Sequence, residues 1–363
     1  MVTYKYGNVL SLLTVLVGFA AVYIHLWHSN GYEHPLSKVA VISYLDLLAN
    51  DTPTDGRVLH SMQEYGFFYV DNIPEYSADE ELFYLKQFYS LPDEEKMKLA
   101  VKKHREENSN VYRGYGPLME VGTQYKEVFN MGPHENQPSS EGDTVLEQLK
   151  MISKEPNVWP QTGNETFNKE FKRILKDGLD IRLNIARSVI RSIGRSFGHP
   201  ELIDRFTEAE FSTLGLRRYP IRETTNEKMN SAFDNVTLSE LEHEDSTVTV
   251  LATFNNTGLQ ALYQGKYLDV PPSGNGFIIN VGTLIADIVD NGVQAVTHRV
   301  KQVDYVRHSI PCFFNPSFDA DISKSITGRL TKAGEKYNLF GEWMRDYLPV
   351  VEPALLKEKF TQY

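Results

Sequence analysis

Residues 243–254 read HEDSTVTVLATF: two side chains of metal-binding type stand two apart, followed by an alternating, β-branched run. Comparable short runs lie on either side, FSTLGLRRY (211–219), GLQALY (258–263), GFIINV (276–281), AVTHRV (295–300) and YVRHSIPCFF (305–314). Gly, Pro, Asn and Asp punctuate them, and short strands spaced in this way close into a sandwich or barrel. The expectation is a mainly β chain with flanking helices, its β core over residues 206–320. Upstream, residues 39–205 read as a helical and β region. They contain VAVISYLDLL, RVLHSMQEYG (57–66), a short apolar run Phe67–Val70 and Glu/Lys-dense helical patterns near 78–104. Phe171, Ile174, Leu175, Ile185, Val189, Ile190 and Ile193 recur at helical spacing between Phe167 and Phe197, with Arg182 interrupting the stripe. Residues 321–363 return to charged, helix-like sequence.

Chemistry concentrates in the β-rich part. His243 and Asp245, two apart on a strand-like run, would share one face. His298 in AVTHRV supplies a second imidazole. Two neutral imidazoles and one carboxylate suit a divalent ion with open coordination positions, either non-haem Fe(II) or a hydrolytic Zn. Glu244, between the two ligands, should point away from their face. Arg307 and Ser309 alternate onto one face of YVRHSIPCFF, where a guanidinium fork and a hydroxyl can grip a carboxylate. The competing reading of Arg307 is an internal ion pair with Asp287 or Asp290. His308 and Cys312 alternate to the opposite face.

The order His243-Glu244-Asp245, His298-Arg299-Val300 and Arg307-x-Ser309 resembles the iron/2-oxoglutarate-dependent dioxygenase superfamily, most nearly its isopenicillin N synthase-like branch. Upstream pieces resemble it too: EYGFFYVDNIP, YRGYGPL, YKEVFN, NVWP and RRYPI. The resemblance covers about residues 39–363. It implies a double-stranded β-helix, or jelly-roll, core, with His243, Asp245 and His298 as iron ligands. It further implies that Arg307, Ser309 and Tyr219 bind the distal carboxylate of 2-oxoglutarate, with Arg113 and Tyr115 toward a substrate. The activity implied is O2-dependent oxidation of a small-molecule or peptide substrate, with ascorbate as an accessory reductant. Two alternatives stay open. One is a synthase-type oxidase whose substrate carboxylate fills the Arg–Ser clamp; the other is a non-catalytic ligand-binding module.

Composition narrows the partners. The 363 residues carry 37 basic and 48 acidic side chains, a net charge of −11, which excludes the basic footprint that nucleic acid requires. A single cysteine, Cys312, excludes an internal disulfide and any Cys-based zinc site. At the amino terminus Val9–Trp27 is an apolar run long enough, at roughly 28 Å as a helix, to span a bilayer. Residues 1–30 therefore read as a membrane anchor, or alternatively a cleaved signal peptide, and residues 31–38 as a linker. Asn-x-Ser/Thr tripeptides at Asn50, Asn164, Asn235 and Asn255 favour a lumenal or extracellular body. The localisation expected is a single-pass membrane protein.

Overall fold

The computed structural model describes residues 35–121, 124–134, 144–222 and 230–351. Packing separates a unit ending at Val39, in which Pro35–Lys38 form a 3-10 turn, from the unit that begins at Ala40. In the second unit β1 (Val41–Ser43) leads through α1 (Tyr44–Ala49) and α2 (Thr52–Glu64) to β2 (Phe67–Asp71). Next come α3 (Ala78–Tyr89), α4 (Asp93–Met97), the hairpin β3 (Gly114–Val121) and β4 (Gln124–Met131), α5 (Val145–Ser153) and α6 (Glu165–Ser196). The remaining strands are β5 (Thr213–Tyr219), β6 (Leu238–His243), β7 (Val248–Ala252), β8 (Leu259–Tyr263), β9 (Lys266–Asp269), β10 (Phe277–Val281), β11 (His298–Lys301) and β12 (Arg307–Phe314). Helix α7 (Thr283–Ile288) interrupts them after β10, and α8 (Phe340–Val351) follows them.

Eight strands pair in the order β1-β2-β10-β7-β12-β5-β4-β3, and four in the order β6-β11-β8-β9. One pairing, Gln124 with Glu240, joins the two sets. Among the paired strands of the described residues, β1 and β2 run parallel and the others antiparallel. The central strands are buried on both faces, which is why β10 is a continuous apolar run, FIINV, broken only by Asn280. One face of the larger sheet looks toward the four-stranded set across a cavity. Val248, Val250, Ala252, Ile310, Cys312 and Phe314 occupy the other face and are buried. That second apolar face needs a cover, and α6 lies across β7 and β12 to provide it.

Helix α6 starts where Asn164 caps it, its side-chain oxygen accepting from the Phe167 N–H at 3.0 Å. Arg182, the interruption in its stripe, is fully buried and donates to both oxygens of Glu81 on α3, at 2.8 and 2.7 Å. The polar residue in the apolar stripe is thus a helix–helix tie.

Two expectations are corrected here. The helices hold more residues than the strands, α6 alone having 32, so the chain is mixed α/β rather than mainly β. The reason is the doubly apolar sheet, which a purely β arrangement would leave half uncovered. The single-pass membrane assignment also does not stand: among the described residues no helix is long and apolar enough to cross a membrane. The longest helix, α6, carries Lys169, Glu170, Lys172 and Arg173 on its first turns and packs on protein. Val9–Trp27 lies outside the described residues.

Candidate metal centre

Strands β6 and β11 set the two histidines side by side. His243 pairs with His298 across the antiparallel ladder, and their ring centroids are 4.4 Å apart. His243 Nδ1 lies 2.7 Å from the Leu241 carbonyl, and His298 Nδ1 lies 3.1 Å from the Val296 carbonyl. A carbonyl only accepts, so each Nδ1 carries the proton and each Nε2 presents its lone pair. Both lone pairs converge on Asp245 Oδ1, 4.0 Å from His243 Nε2 and 3.9 Å from His298 Nε2. One ligand atom from each of the three residues lies within 4.8 Å of the others.

Asp245 reaches this point differently from the expected strand alternation. Strand β6 ends at His243, and Asp245 sits in the short turn leading to β7. Its second oxygen, Oδ2, accepts from Thr249 Oγ1 at 2.7 Å and Asn280 Nδ2 at 2.8 Å. Those two donors orient the carboxylate so that Oδ1 faces the imidazoles. Burial pushes the Asp245 carboxyl up, but His298, His243, Asn280 and Thr249 outweigh it and hold it below its ordinary value. Burial, helped by His243, pushes His298 down and favours the neutral ring a metal needs. Donor types, tautomers and protonation states all suit a divalent ion. Glu244 is turned outward, accepting from Thr297 Oγ1 at 2.8 Å.

The trio opens into a cleft of about 720 Å³ including its mouth. Strand β12 contributes Arg307, Ser309, Pro311 and Phe313 to the lining, whereas His308, Cys312 and Phe314 take the other face. Arg307 is buried; it donates through Nε to the Thr257 carbonyl at 3.0 Å and through Nη1 to Ser309 Oγ at 3.3 Å. Among the described residues no carboxylate lies within ion-pair reach of it. Asp287 and Asp290 are taken by Arg329, at 2.8 and 2.7 Å. Tyr219 pairs with Arg307 across β5 and β12, and the guanidinium carbon lies 4.9 Å from its ring centroid. The Tyr219 hydroxyl, however, donates to Glu240 Oε2 at 2.9 Å.

Arg113 and Tyr115 are not brought to the cleft. Arg113 is fully buried, with its guanidinium donating to Thr213 Oγ1 and to the carbonyls of Met131, Ser153, Glu210 and Ser212. Tyr115 donates to Glu127 at 3.0 Å. Arg113, just before β3, is tied to β4 and the segment leading into β5, and Tyr115 on β3 to β4. Cys312 is a buried free thiol pushed up to about 12 by that burial. The cleft also holds Lys126, Arg217 and Glu240, which sequence pattern did not single out. The alternating texture of YKEVFN (125–130) was a signal for the strand carrying Lys126. Nothing local marks Glu240 as inward-facing.

Residues 216–316 match the 2OG-Fe(II) oxygenase superfamily, and residues 42–162 match the family described as "non-haem dioxygenase in morphine synthesis N-terminal". The chain belongs to the 2OG-Fe(II) oxygenase superfamily, an oxidoreductase family, with His243, Asp245 and His298 as its facial triad. It is 29% identical over 292 residues to isopenicillin N synthase of Lysobacter lactamgenus, covering 77% of this chain and 86% of that one. Its fold matches a full-length Neurospora crassa protein crystallised in complex with alpha-KG. That match has a TM-score of 0.66 and 23% identity, over 85% of this chain and 95% of the other. It also matches JOX2 in complex with 2OG, Fe and JA, at a TM-score of 0.60 and 17% identity over 85% and 84% of the two chains.

Proposed function

We propose that the chain is a non-haem Fe(II) oxygenase that couples 2-oxoglutarate decarboxylation and O2 activation to oxidation of a small-molecule or peptide substrate. On this reading residues 206–320 form a double-stranded β-helix core, residues 39–205 its N-terminal region and residues 321–363 its C-terminal segment. His243, Asp245 and His298 would hold iron, which when bound supplies O2 activation. Arg307 and Ser309 would bind the distal carboxylate of 2-oxoglutarate, with Tyr219 packing its ring against the guanidinium.

The observation that carries this reading is Arg307: a buried guanidinium with no carboxylate partner among the described residues, opening into the cleft that contains the triad. Desolvating a lone charge costs several kcal/mol, about what an anionic ligand returns. Leu251, Ile278, Val296 and Val300 line the same cleft and limit water around the reacting atoms. Thr249 and Asn280 hold the carboxylate ligand in place throughout.

The test is substrate-free turnover of the Fe(II)-loaded protein. Succinate should form from 2-oxoglutarate, and His243→Ala or Asp245→Ala should abolish it. Succinate formation retained in either variant would refute the triad. The likeness to isopenicillin N synthase favours one second reading, an oxidase with a substrate carboxylate in the clamp. It expects O2 uptake to depend on substrate and to be indifferent to 2-oxoglutarate.

A further inference from the structure

Strand β6 carries an irregularity with a consequence for the cleft. His298 pairs with His243, but Val300 pairs with Glu240, so β6 spends three residues where β11 spends two. An extra residue of this kind is a β-bulge, which re-aims the side chains beyond it. Without it, Glu240 would fall on the face opposite His243; with it, both line the cleft. The Leu241 carbonyl that orients the His243 ring lies within the same stretch.

Glu240 does not enter the cleft alone. Lys126 from β4 donates to its Oε1, and the Tyr219 hydroxyl to its Oε2. Both members of the ion pair are largely buried, with side-chain exposures of 7% for Lys126 and 17% for Glu240. A buried ion pair is poor value for stability, since well-packed apolar residues of similar size usually serve as well or better. Its place in a cavity wall that it shares with Arg217 and with the apolar Leu251, Leu259, Val270 and Ile278 points to recognition. An ammonium and a carboxylate held side by side present a positive and a negative edge together. Their complement is a ligand with the opposite charges equally close: an α-amino acid, whose ammonium would meet Glu240 and whose carboxylate would meet Lys126. Such a quartet has no net charge, and each contact is a charge-assisted hydrogen bond. The apolar walls suit an apolar side chain.

We propose that Lys126 and Glu240 form the substrate-recognition couple of the cleft, selecting an α-amino-acid head group attached to an apolar body. This rests on the oxygenase reading for its chemistry but not for its test. The test measures thermal stabilisation of the full-length, Fe(II)-loaded protein under argon. The probes are L-leucine, L-methionine and L-phenylalanine, each with its deaminated acid and its decarboxylated amine as single-charge controls. At least one amino acid should stabilise the protein while its two controls do not. Glu240→Gln should weaken that amino acid by roughly a hundredfold, as losing one partner of a buried charged contact does. The double variant Lys126→Met/Glu240→Gln, whose amide oxygen still accepts from the Tyr219 hydroxyl, should keep the ligand-free melting temperature and lose the response. Three results would overturn the proposal: an acid or amine that acts as well as its amino acid, no response to any of the three amino acids, or a double variant that still responds. A double variant whose ligand-free melting temperature collapses would overturn it too, showing the couple to be structural. Succinate formation run alongside, without amino acid, reports separately on the oxygenase reading.

Discussion

Replacing Arg307 by Met distinguishes a ligand clamp from a structural cation. In the ligand-free protein Arg307 makes two hydrogen bonds, to the Thr257 carbonyl and to Ser309 Oγ. Each is worth about 1 kcal/mol net. Against that loss, the variant no longer buries a guanidinium, a desolvation cost of several kcal/mol that no carboxylate among the described residues offsets. Unfolding free energy should therefore hold or rise, the relieved desolvation offsetting about 2 kcal/mol of lost hydrogen bonding. Affinity for 2-oxoglutarate should fall by roughly 2–5 kcal/mol, or between about 30-fold and several thousandfold. Arg182→Met is the control. Arg182 is also fully buried, but it pairs with Glu81, so its removal strands a carboxylate and should cost about 3–5 kcal/mol of stability. Urea unfolding and isothermal titration with 2-oxoglutarate on both variants supply the numbers. If Arg307→Met destabilised the fold as much as Arg182→Met, or bound 2-oxoglutarate like the parent, the clamp reasoning would be wrong.

Further predictions concern the metal, pH and the thiol. Asn280→Leu removes one of the two donors holding Asp245 and should weaken Fe(II) binding by roughly 10–100-fold, read by competition with a chromogenic chelator. His308 is buried on β12, and that burial, reinforced by Lys86, Arg218 and Arg307, lowers it from 6.5 to about 4. The folded value lies below the unfolded one, so its contribution is complete above pH 6.5 and is lost as pH falls toward 4. The loss is on the order of 3 kcal/mol at most, and unfolding of His308→Phe across that window should lack it. Cys312, its thiol raised to about 12, should resist alkylation at pH 8 until denaturant exposes it. Fast labelling of the folded protein would contradict its burial.

Parts of this protein were open to direct reading. The stripe Phe171, Ile174, Leu175, Ile185, Val189 predicts a long helix, and α6 follows it within a few residues at each end. Alternation along YVRHSIPCFF separates Arg307 and Ser309 from His308 and Cys312, and the folded strand keeps that division. Both succeed because a single element's periodicity decides which face a side chain takes. Arg113 and Tyr115 do not reach the cleft, since their directions are set by partners distant in sequence such as Thr213 and Glu127. The membrane reading of Val9–Trp27 rested on its apolar length, its lack of charge and Pro and its terminal aromatics, and that segment lies outside the described residues.

Residue identity and local period are enough to give the ligand types, their order and the strand that carries Arg307 and Ser309. Long-range pairing brings Asp245 in from a turn and leaves Arg307 without a carboxylate partner among the described residues. It also places the bulge in β6 that brings Glu240 beside Lys126. Those outcomes depend on register and on pairs as far apart as Lys126 and Glu240, which a local pattern does not encode.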